Sequence, residues 1–115
     1  MAKVNLRPDV LDIKVLNGDY YGVEILPADD DNNPADLSDR AWSAQWRRSR
    51  TAADKIDLEV DDSQAADGIL VVHFRSEMTR EFAATGVWDI QGVDGDDQAL
   101  TLMMGNVSTL EDVTR

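Results

Sequence analysis

The sequence predicts one all-β domain, an antiparallel immunoglobulin-like sandwich of about seven or eight strands with one short helix. Three observations predict it. Apolar residues recur with a period of two far more often than with a helical period. Turn-forming clusters punctuate the chain at roughly twelve-residue spacing. Helices and strands do not alternate, which argues against a parallel α/β sheet. At 115 residues the chain fits a single domain spanning 1–115, long enough to bury a core without disulfides or a structural metal.

The elements follow in order. PDVLDIKVL, Pro8 to Leu16, turns Leu11, Ile13 and Val15 to one face and Asp12 and Lys14 to the other. Asn17-Gly18 comes next, the dipeptide that most favours a two-residue hairpin, because both residues tolerate positive φ. YYGVEIL then places Tyr21, Val23 and Ile25 on one face, so the expectation is a hairpin. PADDDNNPAD, Pro27 to Asp36, is a loop. AWSAQWRRS sets Trp42, Ala44 and Trp46 against Ser43, Gln45 and Arg47, and KIDLEV sets Ile56, Leu58 and Val60 against Asp57 and Glu59. GILVVHF, Gly68 to Phe74, is apolar on both faces, as suits a strand covered on both sides or shared between subunits.

SEMTREF, Ser76 to Phe82, is the only plausible helix, about two turns long, with Ser76 as its cap and Glu77 at the positive end of the dipole. ATGVWDIQGV is a strand with Trp88 and Ile90 inward. After the DGDD turn, QALTLMMG places Leu100, Leu102 and Met104 on one face. Gly105 then suits a bulge or sharp bend. The closing Asn106 to Thr114 carries Val107, Leu110 and Val113 among Ser and Thr, too apolar for a disordered tail. It reads as an ordered eighth strand. The expected core includes Trp42, Trp46, Trp88, Ile90, Leu100 and Leu102.

Composition excludes several functions. Cysteine is absent, which removes disulfides, thiolate metal sites and cysteine nucleophiles. No apolar run reaches the ~20 residues of a membrane helix, and MAKVNLRPDV lacks the apolar region of a secretory signal. With 23 acidic and 11 basic residues the net charge is −12, which opposes binding to nucleic acid or to an anionic membrane. Such acidity favours solubility and leaves room for docking on a basic partner.

Few residues suggest chemistry. Asp29, Asp31 and Asn33 alternate as a calcium loop begins, but an EF-hand needs glycine sixth and glutamate twelfth, where this chain has Pro34 and Arg40. A looser calcium site helped by Asp36, or one at Asp94, Asp96 and Asp97, is the lesser reading beside solvated acidic loops and turns. His73, the only histidine, lacks the partners of a metal site or a triad. Ser43, Ser49 and Ser76 lack a nucleophile elbow. No phosphate loop occurs, and no cofactor is implied. RRSR, Arg47, Arg48 and Arg50 about Ser49, is the one basic cluster. It is either a solubilising strand end or a contact with an acidic patch, such as that of Asp29, Asp30 and Asp31, on a neighbouring copy.

The closing segment GVWDIQGVDGDDQALTLMMGNVSTLEDVTR resembles that of small β-sandwich virion proteins of tailed bacteriophages. These are head and tail accessory proteins of phages infecting actinobacteria, related to N-terminal domains of baseplate and tail-fibre proteins. The residues that carry the resemblance are Gly86, Trp88, Asp89, Ile90, Thr101, Leu102, Gly105, Val107, Asp112, Val113, Thr114 and Arg115. It implies a non-enzymatic virion protein, made in the host cytoplasm, that contacts capsid or tail subunits and further copies of itself. Multidomain members continue into a receptor-binding part where this chain stops. The expectation is therefore a capsid decoration or minor capsid protein first, a tail or baseplate adapter second, and a carbohydrate- or receptor-binding module third. The third needs an exposed tryptophan among Trp42, Trp46 and Trp88.

Overall fold

Alternation along the strands builds two facing apolar layers. The computed structural model describes residues 9–27, 33 and 36–110. Strands β1 (Asp9–Val10), β2 (Ile13–Leu16), β3 (Tyr21–Ile25), β4 (Ala41–Arg47) and β5 (Lys55–Asp61) lead through a short 3-10 turn to β6 (Leu70–Phe74). Helix α1 (Ser76–Thr79), β7 (Thr85–Val93) and β8 (Ala99–Leu110) complete the described chain. The strands hydrogen-bond in the order β1-β8-β7-β4-β5-β6-β3, with β2 also on β8. The first half of β5 pairs with β4 and the second half with β6. One strand thus turns the corner between the two layers of an immunoglobulin-like sandwich. β6 is an interior strand, as its apolar sequence suggests. Leu70, Val72 and Phe74 are fully buried, while Val71 and His73 are half-buried on the outer face.

All the strand pairs are antiparallel except those at the start of the chain, where β1 and β2 run parallel to β8. This overturns the expected Asn17-Gly18 hairpin: β2 pairs with β8, whereas β3 pairs with β6 in the other layer. Gly18 does take a positive φ of 85°, but the turn crosses between layers. Thr79 holds it there. Its buried hydroxyl donates to the Asp19 carbonyl at 2.8 Å and accepts from the Gly18 amide at 3.0 Å. The Asn17 side chain donates to the Thr79 carbonyl at 2.9 Å. A contact sixty residues distant in sequence decides a turn whose local composition favours a hairpin.

The end of the chain is also corrected. The expected seventh and eighth strands are one twelve-residue strand, β8, running through Gly105. Residues 111–114 of the expected last strand lie outside the described residues. Gly105 is needed for close approach, not for a bend, since a Cβ there would sit 1.9 Å from the Leu11 carbonyl oxygen. That carbonyl accepts a hydrogen bond from the Trp88 indole at 2.9 Å, and the Leu11 amide donates to Met104 at 2.9 Å. The bulge falls earlier, where Ile90 pairs with Met103 but Gln91 pairs with Thr101. Leu102 is the extra residue. The shift breaks the expected Leu100-Leu102-Met104 face: Leu102 is buried, Leu100 and Met103 pack only partly buried against the core, and Met104 turns outward opposite Asp89.

Trp42, Trp46, Trp88, Ile90 and Leu102 are core residues. Phe82 stacks on Trp46 at 4.6 Å, and Phe74 meets the Trp88 ring edge-on at 5.5 Å. The absence of side chains at Gly86 and Gly92 makes room for the rings of Trp46 and Trp42. The helix is a single turn, and Ser76 is its first residue, not its cap; Arg75 occupies the cap position without a side-chain hydrogen bond.

Two substitutions test these junctions. Gly105→Ala drives a methyl into backbone and is expected to cost about 3 kcal/mol, read as a lower urea midpoint; a change below about 1 kcal/mol would refute the close approach. Thr79→Val keeps the shape but strands the Gly18 amide and the Asp19 carbonyl, with an expected loss of about 2 kcal/mol. Thr79→Ser should recover most of it.

Candidate functional site

The outer face of β4, β7 and β8 carries the polar half of the alternation. Register sets its rows. Ser43 lies opposite Gln91, which faces Thr101; Gln45 lies opposite Asp89, which faces Met104; Arg47 lies opposite Val87, which faces Asn106. Over part of these rows lies a groove of about 420 Å³ whose lining includes Gln45, Arg47, Arg50, Asp89, Gln91, Thr101 and Met104. Arg47 Nη2 donates to Gln45 Oε1 at 3.3 Å. Asp89 Oδ1 and Arg47 Nε are both shielded from solvent, and neither has a hydrogen-bond partner among the described residues. Burial pushes the Asp89 carboxyl above the ordinary aspartate range, against the opposing pull of the Gln45 hydrogen bond and the Arg47 charge.

The basic cluster is divided by the fold. Arg47, on β4, is half-buried in this groove, whereas Arg48 and Arg50 are exposed. Arg48 lines a separate groove of about 520 Å³ with Trp46, Lys55, Ile56 and Glu81. Arg47, Arg48 and Arg50 form no ion pair within 4.0 Å among the described residues; the pairs present there join Arg40 to Asp94, Lys55 to Asp57 and Arg75 to Glu59. Asp29, Asp30 and Asp31 lie outside the described residues. All three tryptophans are buried, with the Trp42 indole donating to Leu37 at 2.7 Å, so none offers the exposed aromatic platform of the third expectation.

The other candidates serve local structure. Asp36 Oδ1 accepts from the Ser38 amide and hydroxyl, and Asp94 Oδ1 from the amides of Asp96 and Gln98. Asp97 closes that turn with a φ of 63°. Among the described residues no three acidic or histidine side chains converge as a metal site requires, and no helix is long and apolar enough to cross a membrane. His73 Nδ1 meets the Tyr20 hydroxyl at 2.5 Å on the outer face of the other layer, beside the two-bonded Arg75–Glu59 pair. The outward residues Gln45, Asp89, Gln91 and Thr101 were not singled out as a site in the sequence. Their common face was readable from the alternation, but their rows depend on cross-strand register.

No family model and no curated protein matches the chain. Among solved structures it is similar to the SrpA adhesin R347E mutant from Streptococcus sanguinis, with a TM-score of 0.53 and 9% identity over 97% of this chain and 60% of that one. The chain therefore spans less than two thirds of that adhesin chain, and at this identity the similarity concerns the fold alone. AggA, the major subunit of aggregative adherence fimbriae type I from Escherichia coli, overlays at a TM-score of 0.36 with 10% identity, covering 96% of this chain and 95% of that one. That score is too low to carry an argument.

The carboxyls give opposite pH signs. Hydrogen bonds hold Asp36, Asp61 and Asp94 below the ordinary range, and the Arg75 hydrogen bond does the same for Glu59. Their contribution to stability is present above their unfolded values of about 4 and lost as pH falls through the folded ones. Asp89 is raised, so its ionisation costs stability, fully so above its folded pKa and not at all below its unfolded one. Asp89→Asn is therefore expected to raise the urea midpoint at neutral pH and to lose that advantage near pH 3. A lower midpoint at neutral pH would contradict the burial cost.

Proposed function

We propose that the chain is a non-enzymatic structural accessory protein of a tailed-phage virion, working by protein–protein contact. One observation in the fold carries the contact role. Among the described residues the exposed large apolar side chains are Val10, Leu16, Tyr20, Leu26 and Leu110. Val10 lies on β1, Leu16 ends β2, Tyr20 precedes β3, Leu26 follows it and Leu110 ends β8. Among the described residues β1 and β2 end the sheet on one side and β3 ends it on the other, and the crossing turn at 17–20 joins them. Leu110 is the register partner of Leu16. Open edges with apolar side chains beside them are what a soluble monomer avoids and an assembling subunit uses.

The virion assignment is supported by the closing segment, from Gly86 and Trp88 through Gly105 and Val107, and its resemblance to phage virion domains. Within the particle we place it first as a capsid decoration or minor capsid protein. A small domain of net charge −12 suits a coat that must stay soluble before it assembles. A tail or baseplate adapter is the alternative. The occupant of the open side is a neighbouring virion subunit or a further copy of the chain.

Copy number in purified particles, by quantitative mass spectrometry against the major capsid subunit, tests the reading. Hundreds of copies are expected. A handful would move the protein to the tail, and its absence from particles would overturn the virion role.

A further inference from the structure

Strand β3 is nearly self-complementary along its edge. Among the described residues it pairs only with β6, so its other side presents backbone amides and carbonyls as a template for a further strand. That edge runs unbroken over Tyr21–Ile25, whereas β1 and β2 are parted at residues 11–12. Gly22 and Glu24 are exposed on the outward face, between Tyr20 and Leu26, which are 51% and 61% exposed. Val23 and Ile25 are buried on the inward face, and Tyr21 packs against the same core. Pro27 follows Leu26 and has no amide hydrogen with which to extend the pairing.

A second β3, laid antiparallel on this edge, matches it in one register. Inward residues stay beside inward residues only if the two copies are centred on the same residue. Centred on Glu24, the two carboxylates stand directly opposite each other, which is destabilising. Centred on Gly22, the buried Ile25 falls opposite the exposed Asp19. Centred on Val23, every row agrees. Val23 meets Val23, and Tyr21 meets Ile25 on either side of it, which continues the apolar face. Outward, Tyr20 stands opposite Leu26 and Glu24 opposite Gly22, with the two Glu24 side chains only diagonal neighbours, about 7–8 Å apart. Gly22 has no side chain, and a Cβ there would lie 2.8 Å from the Tyr20 hydroxyl, so the Tyr20 ring fills the place across from Glu24.

We propose that the chain forms a two-fold dimer by antiparallel pairing of β3 with β3 of a second copy, centred on Val23. The layer formed by β5, β6 and β3 then continues into its counterpart as one sheet. The contact is isologous, so it closes at two copies and leaves the edge of β1 and β2 to other neighbours. It deepens the contact role proposed above and rests on that reading for the use of a sheet edge. The paired strands are short and each copy carries a net charge of −12, so the expected Kd is on the order of 100 μM.

Sedimentation equilibrium of the full chain between about 5 μM and about 1 mM should show a monomer–dimer equilibrium. Leu26→Asp, which sets a carboxylate against Tyr20 of the other copy, should weaken it about tenfold or more. Val10→Asp, on β1, should leave it unchanged. Disulfide trapping reads the register, since the chain has no cysteine of its own. Within one strand residues 20 and 26 lie about 20 Å apart, but across the dimer they are opposed at about 5 Å. An equimolar mixture of the Tyr20→Cys and Leu26→Cys variants should therefore oxidise to a covalent dimer, while either variant alone should not. A chain still monomeric at about 1 mM, a dimer indifferent to Leu26→Asp, or single variants that cross-link as well as the mixture would each overturn the pairing. A monomeric chain abundant in particles would overturn this dimer and leave the virion role standing; a β3-paired dimer absent from particles would do the reverse.

Discussion

The carbonyl of Leu11 is the point at which three strands are locked together. The Trp88 indole reaches it from β7, and Gly105 of β8 lets it approach by having no side chain. The flanking groups tie the same kink, with the Leu11 amide on Met104 and Asp12 accepting from Asn106. Once the kink is seated, β1 and β2 lie parallel to β8 on either side of it. β2 then ends beside Leu110, and the crossing turn arrives within reach of Thr79. The parallel edge rests on this part-buried hydrogen bond and on the missing methyl group at Gly105, while the Thr79 contacts hold the change of layer.

Strand β7 shows how the same residues serve the core and the surface. Gly86, Trp88, Ile90 and Gly92 face inward, two of them large and two vacant for the indoles of β4. Val87, Asp89 and Gln91 face out between Gln45 on one side and Met104 and Thr101 on the other. Because β7 is held on both edges and pinned by Trp88, its outward side chains have a fixed spacing. A rigid strand is a better platform for a polar site than a loop is. The raised pKa of Asp89 is the corresponding cost, as expected when a carboxylate is kept where water cannot fully solvate it.

The two layers differ in how they treat charge. The outer face of β3, β5 and β6 pairs its groups locally, with Arg75 on Glu59 and His73 on Tyr20. The groove face leaves Arg47 and Asp89 incompletely bonded. The local pairs satisfy the surface they sit on, whereas on the groove face Arg47 Nε and Asp89 Oδ1 stay unpaired among the described residues.

The all-β class, most strand positions, the inward tryptophans of β4 and the outward face of Gln45 and Arg47 were legible in the sequence. A period of two depends only on the geometry of an extended chain, and it is written residue by residue. The partners of those strands were not legible. Alternation is identical whether β2 pairs with β3 or with β8, so the Asn17-Gly18 pair suggested a hairpin that Thr79, far along the chain, converts into a crossing. Gly105 looked like a bend because the carbonyl it accommodates belongs to a residue more than ninety positions earlier. The bulge at Leu102 moved Met104 from the expected core to the groove, and register alone set Asp89 beside Gln45. The sequence by itself determined which residues turn inward. Only the tertiary structure decided which of them meet, because register and layer are set by contacts between segments that no local pattern records.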